Sequence, residues 1–177
     1  MNVASKLLQL SIILPLMIGI AWSSADYRNS QNRPFDYQKY SDSVKQLEMR
    51  IGVMHEQWDA EDPIIVSVYL TNKGKSAVKI PDAKVPLFKY QMSVIDEHSR
   101  QVPITESMKK QLKWGPSSIR SQEIEPRETI EEKVRISDIF QLNQKGTYKI
   151  TFKRQVGIAD KVRHELTSNT ITVSVVE

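Results

Sequence analysis

The sequence predicts an all-β domain, an antiparallel β-sandwich of about seven to eight strands that is preceded by an export signal. Three observations predict it. Apolar residues recur at every second position in several short segments, turn-forming residues separate those segments, and the chain opens with a short apolar run. The 177 residues include no Cys, so the stability of the domain must come from its core and not from disulfides.

The N-terminal segment, residues 1–25, has the three parts of a secretory signal peptide. Lys6 supplies the positive charge, an apolar run follows over 7–22, and small residues lead up to Ala25. We predict cleavage after Ala25, which makes Asp26 the first residue of the mature chain. The alternative, a retained membrane anchor, is disfavoured because the apolar run is shorter than a spanning helix needs. The protein is therefore predicted to be exported, periplasmic or secreted, with no stable membrane span after cleavage.

The mature chain divides into a leader and one domain. Residues 26–43 are polar and rich in turn formers, without a helical or strand period, which predicts a flexible polar leader. Residues 44–177 form the predicted sandwich domain, in a length that suits a single core.

The strands are predicted from alternation, because successive side chains of a strand point to opposite faces of its sheet. Val, Ile, Thr and Tyr, which strands prefer, dominate these segments. A short further strand is predicted over 101–104, and only 105–112 is predicted to be helical, with Thr105 as its cap. The alternating segments are LEMRIGV (47–53), IIVSVYL (64–70), FKYQMSV (88–94), TIEEKVRI (129–136) and ITVSV (171–175).

The segment GTYKITFKR, at 146–154, indicates a particular kind of sandwich. In immunoglobulin-like domains a Tyr near the start of strand F bonds back to the preceding corner of the chain. Tyr148 follows Gly146 in that arrangement, and Ile150 stands where true immunoglobulin domains have a Cys. We therefore predict a structural corner made by Gly146, Tyr148 and Ile150; the alternative is an ordinary hairpin strand that contains a Tyr.

The order of these motifs resembles that of bacterial immunoglobulin-like or fibronectin-like modules. A strand and turn at 66–74, a turn at 94–96, the Tyr148 segment and a closing strand at 168–173 carry the resemblance. The chain is also loosely similar to the intracellular proteinase inhibitor family and to immunoglobulin-like prosegments of secreted metallopeptidases. The resemblance implies a β-sandwich that works by binding.

Charge and motifs exclude several classes of function. The net charge is +4 and is spread along the chain, so no basic footprint for nucleic acid is present. Serine-hydrolase, zinc-peptidase and phosphate-loop motifs are absent from the sequence, and its three His, at 55, 98 and 164, are far apart. We expect no enzyme activity and no cofactor.

Two constellations remain as candidate sites. Asp59, Glu61 and Asp62 form a loop that is either solvated or a calcium site, and the solvated loop is favoured because the spacing is irregular. Trp114 stands beside Lys110 and Lys113, where an exposed aromatic would anchor a protein partner. The alternative is that Trp114 packs under its own loop.

The function predicted from the sequence is an exported, non-catalytic module that binds another protein in the cell envelope or outside the cell. The alternatives are an inhibitor or accessory module of a secreted peptidase, and a carbohydrate-binding module. Fold alone does not choose among them, because sandwiches serve many functions.

Overall fold

The computed structural model describes residues 36–115, 119–158 and 162–176, and this part of the chain is mostly β-structure. Short 3-10 turns lie at Pro86–Phe88 and Ile136–Asp138. The α-helices are α1 (Tyr37–Val44) and α2 (Glu106–Lys113), and the strands are β1 (Leu47–Val53), β2 (Gln57–Asp59), β3 (Ile65–Asn72), β4 (Val78–Ala83), β5 (Gln91–Ile95), β6 (Ile119–Ile124), β7 (Thr129–Arg135), β8 (Gly146–Ile158), β9 (Val162–Thr167) and β10 (Ile171–Val176).

The strands form two main sheets and a ribbon. The first sheet has the antiparallel order β1-β3-β7. The second has the order β2-β10-β8-β5, in which β2 runs parallel to β10 and the other neighbours are antiparallel. Strands β4 and β6 make a separate two-stranded antiparallel ribbon.

One hydrophobic cluster joins the inward faces of the strands. Burying each such Val, Ile or Phe side chain contributes about 1.5–3 kcal/mol, so the alternating pattern supplies most of the stability. Residues of both sheets and of the ribbon are fully enclosed; they include Val66, Val68 and Leu70 on β3, Ile80 on β4, Ile150 and Phe152 on β8, and Val173 on β10.

The long strand β8 pairs with β10 along its first half and with β9 along its second half, and a bulge lies between β9 and β10 where the two pairings meet. Strands β9 and β10 both run along β8, but the register shifts by one residue between the pairs Lys153–Thr167 and Ile150–Ile171. At the shift, the amide of Ser168 donates to the carbonyl of Phe152 (2.9 Å), and the hydroxyl of Ser168 accepts from the amide of Phe152 (3.0 Å). The extra residue is therefore held in a closed, hydrogen-bonded bulge.

The bulge also fastens β1. The side-chain oxygen of Asn169 accepts from the amide of Ile51 (2.8 Å), and its nitrogen donates to the carbonyl of Ile51 (3.0 Å). Asn169 thus pairs with the outer edge of β1 as a neighbouring strand would.

The described residues contain more strands than the sequence predicted. Ten are present instead of seven or eight, because β2, β4, β6 and β9 were not predicted. The predicted strand at 101–104 is wrong, since this segment has only isolated bridges from Gln101 to Ile95 and from Ile104 to Phe140.

Helix α1, Tyr37–Val44, takes up the last part of the predicted leader, 26–43, and ends one residue beyond it; the sequence indicated neither helix nor strand in that leader. Asp36 caps the helix by accepting from the amide of Lys39 (2.9 Å). The hydroxyl of Tyr40 donates to the carbonyl of Lys79 on β4 (2.8 Å), so α1 is attached to the ribbon. The predicted signal peptide, 1–25, lies outside the described residues, and no helix within them is long and apolar enough to cross a membrane.

Candidate partner-contact surface

Helix α2 is fixed to the domain by its start and by one face. The hydroxyl of Thr105 accepts from the amide of Met108 (3.2 Å) and donates to the carbonyl of Asp138 (2.8 Å). Met108 is buried and Leu112, one turn later, packs against the core. Because that face points inward, the remaining side chains of the helix are directed to solvent.

The end of α2 presents a surface that is both aromatic and cationic. The side chain of Trp114 is 88% exposed, so it does not pack beneath its own loop. Lys110 and Lys113 are exposed, and neither has an ion-pair partner among the residues described here, whereas Lys109 pairs with Glu106 (2.6 Å). We call Lys110, Lys113 and Trp114 the Trp114 surface. The neighbouring Pro116 lies outside the described residues.

A groove lies against the inward face of α2, where Leu112 lines it. Its volume is about 470 Å³, and it lies between α2, the 3-10 turn at Pro86–Phe88 and the second sheet. Its apolar lining includes Leu87, Phe88, Met92 and Ile104. The sequence analysis missed this groove because it placed Phe88 in a predicted strand over 88–94. In the structure Leu87 and Phe88 are half-buried in a 3-10 turn, and the strand begins only at Gln91.

The predicted corner residues lie together at the start of β8. Tyr148 is 5% exposed, and its hydroxyl donates to the carbonyl of Gln144 (2.6 Å). Ile150 is fully buried. Burial, together with the nearby carboxylates of Asp96 and Glu97, raises the pKa of Tyr148 above its ordinary value. These residues lie on β8, whereas the Trp114 surface lies on α2.

An ionic cluster around a buried Lys, which the sequence analysis did not find, joins β7 to the ribbon; its two carboxylate side chains, on Asp82 and Glu132, are each 31% exposed. The side chain of Lys89 is only 7% exposed, and its nitrogen lies 2.5 Å from a carboxylate oxygen of Glu132 and 3.1 Å from one of Asp82. Removing one partner from such a cluster leaves a buried charge uncompensated, so these residues depend on one another.

Arg154 extends the cluster to β8. It is 2% exposed, and its guanidinium donates to the carbonyl of Pro81 (2.6 Å) and to the hydroxyl of Tyr90 (3.3 Å). That hydroxyl donates in turn to Glu132 (2.8 Å), and burial is the main reason why the pKa of Tyr90 is raised. Within the described residues no buried side-chain nitrogen or oxygen lacks a hydrogen-bond partner. The cluster is therefore fully satisfied and serves to tie strands together.

The His residues and the acidic loop are not brought together. His55 packs edge-on against Trp58, His98 is exposed beside Glu97, and His164 lies on β9. Among the described residues no group of three His, Cys, Asp or Glu side chains could hold a metal ion, and this includes the loop with Asp59, Glu61 and Asp62.

These features define an all-β domain with an exposed aromatic and cationic surface at one end of a short helix. Residues 55–176 match the family described as flagellar collar protein C, N-terminal domain, and the match covers well over half of the chain. The chain belongs to the flagellar collar protein C N-terminal domain family. The match supports neither the resemblance to the intracellular proteinase inhibitor family nor that to metallopeptidase prosegments.

Other comparisons add little. None of the curated proteins matches the chain. A solved β-glucosidase from Erythrobacter marinus is 16% identical, with a TM-score of 0.36, over 70% of this chain and 15% of that protein. The chain thus spans a small part of that enzyme, and a TM-score this low does not relate the two folds.

Proposed function

We propose that this chain is an exported, non-catalytic component of the bacterial flagellar collar and that it binds another protein of that assembly. The observation that carries the proposal is the family match over residues 55–176, which includes nine of the ten described strands and all of α2. A collar is an assembly by its name, so a subunit of it needs contact surfaces more than it needs an active site. The Trp114 surface is the contact that we assign to it.

We propose further that the domain is an immunoglobulin-like sandwich. The orders β1-β3-β7 and β2-β10-β8-β5 support this fold, since a short N-terminal strand lies parallel to the last strand. The hydroxyl of Tyr148 reaches back to a main-chain carbonyl four residues earlier, as the tyrosine corner of such domains does.

Export to the periplasm is part of the same proposal. The apolar run at 7–22, behind Lys6 and ahead of Ala25, supports it, because it has the composition of a cleaved signal. A collar component placed there would meet its partner in the cell envelope.

The Trp114 surface combines the features of an interface anchor. Trp and Arg side chains dominate the binding energy of many interfaces. Truncating an anchor Trp that a partner buries typically costs at least about 2 kcal/mol of binding free energy, which lowers the affinity about thirtyfold. The unpaired Lys110 and Lys113 favour a partner that carries carboxylates there. The groove beside Leu112 offers room for an apolar side chain of that partner.

The test is quantitative capture of collar proteins from envelope extract of flagellated cells by the purified protein, read by mass spectrometry. We expect Trp114→Ala to lower the recovery or affinity of the main partner about thirtyfold. Met54→Ala is the matched control, because Met54 is 80% exposed and lies after β1, on another element. Equal capture by all three proteins, at equal thermal stability, would show that the Trp114 surface is not the contact. Turnover of a peptide or glycan by the purified protein would refute the non-catalytic proposal.

A further inference from the structure

The edges of the two main sheets are protected to different degrees. On β1, Asn169 occupies the outward groups of Ile51. On β5, the segment after the turn pairs with the edge, because the amide of Val102 donates to the carbonyl of Val94 (2.8 Å). Strand β2 has only three residues. Strand β7 has seven residues, Thr129–Arg135, and pairs with β3 alone in the described part of the chain.

The outward groups of β7 can be identified from its bonds to β3. Ile136 donates to the carbonyl of Ile64 (2.9 Å), and the carbonyl of Glu128 accepts from Asn72 (2.9 Å), so even-numbered residues face β3. In an antiparallel strand the direction alternates. The amides and carbonyls of the odd-numbered residues therefore point away from the sheet, and these residues are Thr129, Glu131, Lys133 and Arg135.

The side chains of these four residues make the edge self-complementary. Thr129, Glu131, Lys133 and Arg135 are all exposed, and Lys133 has no ion-pair partner within the described residues. If two copies of β7 pair antiparallel about a twofold axis at residue 132, Glu131 of each copy lies opposite Lys133 of the other. Thr129 then lies opposite Arg135, and all four outward residues take part in hydrogen-bonded pairs.

Neighbouring registers lack this match. A shift of the axis to residue 131 places Glu131 opposite Glu131, and a shift to 133 places Lys133 opposite Lys133. Like charges directly opposite each other destabilise a strand pair. The register centred on 133 does set Glu131 opposite Arg135, but it leaves Thr129 without a partner on β7. Only the register centred on residue 132 uses the whole edge and places no like charges opposite each other among the four outward residues.

The central pair of that register is Glu132 with its counterpart, on the inward face. An inward charge is also a device by which proteins protect an edge from pairing. Here each Glu132 is already bound to Lys89 (2.5 Å) and to the hydroxyl of Tyr90 (2.8 Å) of its own chain. Its charge is balanced before a second copy arrives, so the central position does not forbid the pairing.

We propose that two copies of this chain associate through their β7 strands, antiparallel and in the register centred on Glu132. The association joins the two three-stranded sheets into one continuous six-stranded sheet. It leaves the Trp114 surface, on α2, as a separate contact, so the dimer does not depend on the function proposed above.

Sedimentation equilibrium of the purified protein over a range of concentrations tests the proposal. We expect a reversible monomer–dimer equilibrium. Glu131→Lys alone and Lys133→Glu alone each convert both central charge pairs into like-charge pairs, and each should weaken the dimer at least about tenfold. The double variant Glu131→Lys with Lys133→Glu restores opposite charges and should return to the wild-type dissociation constant.

Two controls make the result decisive. Lys149→Glu reverses an exposed charge on β8 and should leave the dimer unchanged. Since Glu131 also accepts from Ser67 (2.9 Å), thermal unfolding of each variant is measured to show that the monomers are folded. A protein that is monomeric at every concentration overturns the proposal and indicates that Glu132 protects the edge. A double variant as weak as the single ones overturns the register.

Discussion

Replacing Tyr148 by Phe removes one hydroxyl and leaves the aromatic ring in place. In the structure that hydroxyl donates a 2.6 Å bond to the carbonyl of Gln144, while the rest of the side chain is buried. The substitution therefore tests a single hydrogen bond at the corner that leads into β8, with little change in packing.

The size of the effect depends on what happens to the carbonyl of Gln144. A hydrogen bond contributes about 0.5–1.5 kcal/mol net, and a partner that stays buried and unpaired adds to the loss. Gln144 and Tyr148 both line an open cleft of about 430 Å³, so water can reach the freed carbonyl. We therefore expect Tyr148→Phe to lower the free energy of unfolding by about 1 kcal/mol, and not by the larger cost of an orphaned acceptor.

Urea unfolding followed by circular dichroism measures this change. Tyr69→Phe is the matched control, because the hydroxyl of Tyr69, on β3, has no hydrogen-bond partner in the described part of the chain. We expect its midpoint to equal that of the wild type. If Tyr148→Phe and Tyr69→Phe unfold at the same urea concentration, the corner bond does not stabilise the fold.

The difference in stability between the wild type and Tyr148→Phe should narrow in alkali. The pKa of Tyr148 is raised in the folded state, chiefly by burial and then by Asp96 and Glu97. The folded protein thus holds this proton more tightly than the unfolded chain, whose tyrosines titrate near pH 10. The contribution is fully present below pH 10 and is lost as the pH rises through the folded pKa. The wild-type midpoint should therefore fall more steeply above pH 10 than that of Tyr148→Phe, and parallel curves would contradict the raised pKa.

Two further predictions concern the core and the processing of the chain. Ile150→Ala should lower the free energy of unfolding by about 2–5 kcal/mol, because Ile150 is fully buried and truncating its side chain opens a cavity. Urea unfolding measures the loss, and Lys149→Ala, at the exposed neighbouring residue, is the control. A loss no larger than that of the control would contradict the packing. Protein purified from the envelope should begin at Asp26 on N-terminal sequencing, and an intact Met1 would show that the signal is not cleaved.

The strands that the sequence predicted well are those with one fully apolar face. In β1, β3 and β10, Val, Ile, Leu and Met alternate with polar residues, and the core is built from those alternating positions. Because one face of each of these strands is buried, the structure requires an apolar side chain at every second residue, which is the period that the sequence shows.

The strands that were missed lack that pattern for physical reasons. Strand β4 contains Pro81, which reads as a break, yet a Pro is tolerated where its missing amide is not needed by a neighbour. Strand β6 has the sequence IRSQEI and is largely exposed, so burial imposes little alternation on it. Helix α1 consists largely of polar residues, and only the cap at Asp36 and the contact of Tyr40 with β4 identify it.

The candidate surface was partly predictable. Trp114 beside Lys110 and Lys113 was visible as a motif, but its exposure depends on how α2 packs, which the sequence does not state. The ionic cluster could have been suspected from two inward positions: Arg154 lies between Phe152 and Val156, and Glu132 between Ile130 and Val134. A charge of each sign on an apolar face suggests a buried pair. Lys89, which meets Glu132, was instead predicted on the outer face of a strand over 88–94, whereas in the structure it directly follows the 3-10 turn Pro86–Phe88.

The bulge at Ser168 and Asn169 separates the pairing of β8 with β10 from the pairing of β8 with β9. The alignment of β10 with β8 is set at the bulge itself, where Ser168 bonds to Phe152 and Asn169 to Ile51. The outer half of the β8–β9 hairpin therefore does not determine which residues of β10 face the core.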